Sequence, residues 1–187
     1  MDLLDFEGQA MYFDEPMPEG VSELIDKAAE EYAEGTAEHP LLQAYFYAPR
    51  SLTVLVALYR FYYYQHRLAD AILVAHRAMD EACHLMGMHK RWKEITEVDL
   101  GAAVLQSMGL VRFFLMALKG AGYLSLRLGR LKEGVDMLGK VVYLDPKDYL
   151  HARSLYDMAC EAATVGDNKD VRSIHGYHET NNERMSA

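Results

Sequence analysis

The residues able to do chemistry are few. His76, Asp80 and His84 fall four apart, so a helix would place them on one stripe, where two imidazoles and a carboxylate can hold a divalent metal. The same spacing also describes an ordinary solvated helix face. His175 and His178 sit in a polar C-terminal stretch that supplies no frame for a ligand set. Cys83 and Cys160 lack the CxxC spacing of a redox or zinc site. No nucleophile elbow, phosphate-binding glycine loop or HExxH is present. Glu94 and Glu97 are three apart, but Glu97 sits where a helix should start. These observations predict a protein that is not an enzyme and needs no cofactor. The His76, Asp80 and His84 stripe is its one weak metal candidate.

Charge narrows the partners. Residues 1–40 hold twelve acids and one base, Lys27, whereas residues 41–187 are nearly balanced with sixteen acids and eighteen bases. Such an acidic leader repels phosphates, so nucleic acid is not expected as a partner. With only two cysteines and an acidic rather than basic–apolar N-terminus, a reduced, cytoplasmic protein is expected. The most apolar stretch, residues 100–118, is interrupted by Arg112 and closed by Lys119, which argues against a membrane span.

The elements that must position these residues read as helices throughout. Residues 1–20, with Pro16, Pro18 and Gly20, read as a flexible acidic arm, residues 21–166 as the helical domain, and residues 167–187 as a polar, disordered tail. Ser22 is placed to cap a helix that runs to about Glu34 and ends at Gly35. Pro40 can open a helical turn and Pro49 ends one. Helices are predicted from about Ser51 to Gln65, from Leu68 to Met86 with Gly87 as the stop, and from Leu131 to Leu144. Thr96 and Asp99 have capping-box spacing. The apolar period that follows them runs to Leu128, with a bend expected near Gly109. Asp148 or a neighbour should cap a last helix to about Thr164. No strand pattern emerges, so the fold class is all-α, built of antiparallel helical pairs.

Two stretches resemble tetratricopeptide (TPR) repeats. Residues 115–148 carry Gly122 at the small first-helix position, Gly129 at the turn, Leu131 just after it, and Leu144-Asp145-Pro146 at the end. Gly134 and Ser125 depart from the family's usual alanine and aromatic. Residues 52–85 carry Leu58, Tyr59 and Tyr62 on the first helix, Leu68 after the turn, and Ala71 and Ala78 at the small positions of the second. His66 stands where the turn glycine belongs, which implies strain or a shifted turn. The two units start 63 residues apart instead of 34, so the segment at 88–114 is an irregular insertion or a degenerate unit.

The resemblance implies a compact α-α superhelix whose first helices line a concave groove. Its groove positions correspond here to Thr53, Val56, Arg60, Tyr63 and Tyr64, and to Met116, Lys119, Tyr123, Leu126 and Arg127. That set is aromatic and basic, suited to a peptide with acidic and apolar side chains. Tyr123 replaces the asparagine of the family's carboxylate clamp, so recognition of a chaperone C-terminus is not implied. The implied function is a scaffold or adaptor for a protein or peptide partner. A small chaperone resembling those of type III secretion translocators is the alternative, and a metal-binding accessory protein the third. The acidic arm, with Phe6, Met11, Tyr12 and Phe13, has the character of a ligand for this groove, in its own or a sister subunit. The Leu41-Leu42 and Tyr45-Phe46-Tyr47 clusters either cap the first unit or pair two copies as a homodimer.

Overall fold

A computed structural model describes residues 17–164 of the 187-residue chain. The arm up to residue 16, the tail from residue 165, and with it His175 and His178, lie outside the described residues. Within them the chain is all-α, with no strand. Its helices are α1 (Val21–Glu30), α2 (Glu38–Tyr47), α3 (Leu52–Tyr64), α4 (Leu68–Leu85), α5 (Glu97–Val104), α6 (Met108–Arg127) and α7 (Leu131–Leu144). A further helix, α8, spans 153–164. Helices α1 and α2, α3 and α4, and α6 and α7 form antiparallel hairpins, because each is joined by a connection too short for any other arrangement. The hairpins pack in chain order: α2 rests on α3, and α4 on α6. The short α5 leans on α6.

Chain reversals explain where the hairpins turn. After α3, the Arg67 N–H donates to the Tyr62 carbonyl at 2.9 Å and the His66 N–H to that of Tyr63 at 3.1 Å. After α6, Arg130 and Gly129 donate to Ser125 and Leu126 at 2.8 and 3.0 Å. Both are the double bond pattern that needs a left-handed residue just past the helix end. Gly129 takes it at φ +76°, and His66 takes the same conformation at φ +57°. The strain expected at His66 is thus real, and the turn is not shifted. Gly87, at φ +70°, closes α4 in the same way.

Several boundaries differ from expectation. α1 starts at Val21 behind Gly20 (φ +83°), and Ser22 makes no cap. A 3-10 turn, Glu31–Glu34, then carries the chain to Gly35. The long apolar stretch breaks at 105–107, before Gly109, because Ser107 Oγ accepts the Leu110 N–H at 3.2 Å and starts a new helix. The Thr96–Asp99 box forms as read, and Asp148 Oδ1 accepts the Ala152 and Arg153 N–H groups at the start of α8.

The core runs along the hairpin seams through Leu52, Leu55, Ile72, Met79, Phe114, Leu118, Leu124 and Met137, all at most 2% exposed. Small residues set the helix spacing. A Cβ on Gly134 would stand 3.0 Å from the Gly122 carbonyl oxygen and 2.5 Å from Leu126 Cδ2. In the α1/α2 hairpin Leu41 is inside, while Phe46 (80%) and Tyr47 (61%) face out. α6 is long and apolar enough in composition to cross a membrane, and 56% of that stretch is buried within the fold, where α6 packs on α4 and α7.

Polar contacts fasten the hairpins to one another. Arg67 Nη1 reaches both Glu38 oxygens at 2.7 Å, Tyr62 donates to the same carboxylate at 3.3 Å, and Arg67 Nε bonds Asp70 at 2.7 Å. Arg50, between α2 and α3, grips the buried Glu81 of α4 with both Nε and Nη2 at 2.9–3.0 Å.

Candidate functional site

Helix α3 presents Ala57, Arg60, Phe61 and Tyr64 at successive three- and four-residue steps, which is one helix face. The facing stripe of α1, Ile25, Ala28, Ala29 and Tyr32, has the same spacing. Between them, floored by Ala37 and Leu41 at the start of α2, lies a depression of about 540 Å³. Its walls are apolar, with Tyr32 set edge-on to Phe61 at 6.3 Å between ring centres. Arg60 is the only charged side chain in the lining. It is exposed, and among the described residues no carboxylate pairs with it.

From Tyr64 a row of rings leads along α3. Tyr64 meets Tyr63 edge-on at 5.6 Å, and Tyr63 stacks on Tyr59 at 6.0 Å. Tyr59 points across to α6, where its hydroxyl would stand 3.2 Å from a Cβ on Gly120, so this glycine makes room for it. On α6, Arg127 Nη1 donates to the Tyr123 hydroxyl at 2.8 Å with its guanidinium 5.7 Å from that ring. This bond, with the field of Tyr123 and of Tyr63, pushes the Arg127 pKa still higher, so its charge is permanent and lies near Tyr63.

The expected groove residues therefore divide. Arg60 and Tyr64 line the depression. Tyr63, Tyr123 and Arg127 form a second aromatic–basic group beside it. The others serve elsewhere. Val56 lines a void of about 20 Å³ closed by Tyr59, Ala75, Phe113 and Ala117, so it belongs to the interior. Leu126 is a correction: it lies against Gly134, because the missing side chain draws it into the α6/α7 seam. The Lys119 ammonium donates to the Leu150 carbonyl and so fastens the chain ahead of α8. Thr53 and Met116 are half-buried, with no printed polar partner and no place in the depression.

The metal stripe does not assemble. His76 Nε2 faces α7 at 3.9 Å from Glu133, while His84 meets the His89 ring at 6.0 Å. Among the described residues no three His, Cys, Asp or Glu side chains gather as a metal site. Burial, helped by Asp80, pushes the Cys83 thiol up to about 12, which keeps it protonated and unreactive at neutral pH.

The α1 wall went unread in the sequence. A signal for it exists: Ala37 and Ala44 of α2 stand 34 residues before Ala71 and Ala78 of α4, and all four are at most 4% exposed. That is the repeat spacing of a further hairpin directly ahead of the one at 52–85.

No family model matches the chain, and no solved structure matches it. It is 50% identical over 161 residues to the uncharacterized 19.8 kDa protein in the nifW 5′ region of Azotobacter chroococcum mcd 1, an alignment that covers 86% of this chain and 90% of the relative. The chain belongs to the same family as that Azotobacter protein.

Proposed function

We propose that this protein is a TPR-like interaction scaffold that binds one extended peptide segment of a protein partner across the α1/α3 depression and the neighbouring tyrosine row. The observation that carries this is the depression itself: apolar walls from two helices with a single unpaired cation, Arg60, on the lining. Such a surface selects a segment with one or two aromatic or aliphatic anchors beside an acidic residue. Three stacked hairpins with small residues at 34-residue spacing support the repeat reading, in which first helices share one concave face.

The relative lies in the nifW 5′ region, so the nifW product is the first partner to test. Affinity capture with the full chain, compared with Arg60→Glu, checks the reading. Reversing this charge should weaken capture about tenfold or more, the order reported for an anchoring residue of an interface. Undiminished capture would show that the partner binds another face.

A second reading gains from the third hairpin. The small translocator chaperones that the sequence resembles use three tandem units, and the α1/α2 hairpin raises the count here to three. A chaperone keeps its client soluble on co-expression, whereas an adaptor leaves client solubility unchanged.

A further inference from the structure

The depression between α1 and α3 invites a question of occupancy that the chain's own composition answers. Its walls, Ile25, Ala28, Tyr32, Ala57 and Phe61, are apolar, and Arg60 is its only charge. The acids of α1, Glu23, Asp26 and Glu30, are exposed and lie outside the lining, so the field felt by an occupant is that of Arg60. Residues 1–16 complement this surface in both respects. They hold five acids and no lysine or arginine, and they include Met11, Tyr12 and Phe13 immediately before Asp14 and Glu15.

Connectivity favours the same pairing. Met17 packs against the core, and the Val21 N–H reaches back to the Pro18 carbonyl, so the arm departs from the start of the helix that forms one wall. Four residues separate Phe13 from Met17, a reach of roughly 13 Å at about 3.3 Å per residue. That compares with the length of about 15 Å expected for a ten-residue helix such as α1. A tether this short gives an effective concentration on the order of millimolar, enough to fill a site that would bind the free peptide weakly.

We propose that residues 11–15, Met-Tyr-Phe-Asp-Glu, occupy the α1/α3 depression of their own chain, with the aromatic side chains on the apolar walls and the Asp14 and Glu15 carboxylates at Arg60. The arm is then a built-in competitor that a partner must displace, and this part rests on the depression being the peptide site. A second copy or a foreign peptide in the same place is an outcome the test separates.

The test uses the full chain with p-benzoylphenylalanine at Phe13, irradiation, and peptide mapping by mass spectrometry. The expected product is monomeric and joins residue 13 to segment 25–32 or 57–64. Arg60→Glu should reduce it about fivefold, as loss of a charge contact of about 1 kcal/mol would. Adding Asp14→Lys and Glu15→Lys to Arg60→Glu should restore it, which a misfolded variant would not do. Crosslinks to another part of the chain, or only between two copies, overturn the proposal. Competition is read separately with a labelled synthetic peptide of residues 1–16. It should bind the Asp14→Asn/Glu15→Gln chain about tenfold more tightly than the unaltered chain, whose tethered arm holds the site. Equal binding to both overturns the competitor role. Capture of the nifW product that stays sensitive to Arg60→Glu without the crosslink would sink the arm and leave the peptide site standing. A crosslink without any Arg60-sensitive capture would do the reverse.

Discussion

The hairpins α3/α4 and α6/α7 use one backbone plan at positions 63 residues apart and fill it differently. Tyr62, His66 and Arg67 match Ser125, Gly129 and Arg130 in the hydrogen bonds that turn the chain. Arg67 pairs with Asp70 at 2.7 Å, and Arg130 with Glu133 at 3.9 Å. The seams then diverge. α6/α7 brings Gly122 and Gly134 so close that neither has room for a methyl group. At the corresponding places α3/α4 carries Tyr59 and Ala71, and Tyr59 reaches out of its own hairpin to Gly120. Arg67 likewise extends to Glu38 of α2, which Arg130 has no counterpart for among the described residues. The first hairpin is therefore built to hold both neighbours, and the second to close tightly on itself. This division places the tyrosine row and Arg60 on the hairpin that is pinned from both sides, where a binding face is best held in register.

The comparison can be broken most severely at Gly134. Valine there would meet the Gly122 carbonyl oxygen, which moves only with its helix, and Leu126. We expect Gly134→Val to lower unfolding stability by about 2–3 kcal/mol, the usual cost of overpacking. At the matching site Ala71→Gly should cost only about 1 kcal/mol, the helix-propensity difference. Urea melts of both variants decide, and equal losses would mean that the two seams are not distinct.

The turns give the next effect in size. Gly129→His should cost about 1 kcal/mol, since an L-residue in the left-handed region is disfavoured by that amount. His66→Gly should change stability in the other direction by about 0.5 kcal/mol, because relief of the strain is offset by glycine's greater freedom when unfolded. Opposite signs in thermal melts would support the shared turn. Stabilisation by neither glycine would refute it.

Legibility followed the strength of local signals. α3, α4 and α7 were readable to within a residue or so, because apolar period, turn residue and helix stop all agreed. The α5/α6 break was read too late, since glycine at 109 drew attention from the Ser107 cap two residues earlier. The α1/α2 hairpin was missed as a repeat because the 3-10 turn at Glu31–Glu34 displaces its glycine, although Ala37 and Ala44 keep the spacing. At the site, Arg60 and Tyr64 were legible from helical phase alone. Their partners on α1 were not, because phase within one helix says nothing of what packs opposite. Leu126 was misplaced for the same reason: its direction is set by an absent side chain on another helix.

The smallest effect tests how the insertion between the two hairpins is held. Asp99 Oδ1 accepts from Lys90 at 2.7 Å, and Oδ2 from the Thr96 N–H and hydroxyl at 2.8 Å each. Led by the Lys90 bond, these hold its carboxyl down to about 2, against an ordinary 3.8. The folded value is the lower one, so the ionised form favours folding. The contribution is fully present above the unfolded value and is lost as pH falls through about 2. Asp99→Asn should therefore be less stable than the unaltered chain by a constant margin at neutral pH. That margin should narrow between roughly pH 4 and pH 2, and added salt should shrink the part due to the partly exposed Lys90. A margin that does not vary with pH would mean that the carboxylate is not held by these donors, and that α5 is kept in place by Leu100 and Ala103 on α6 alone.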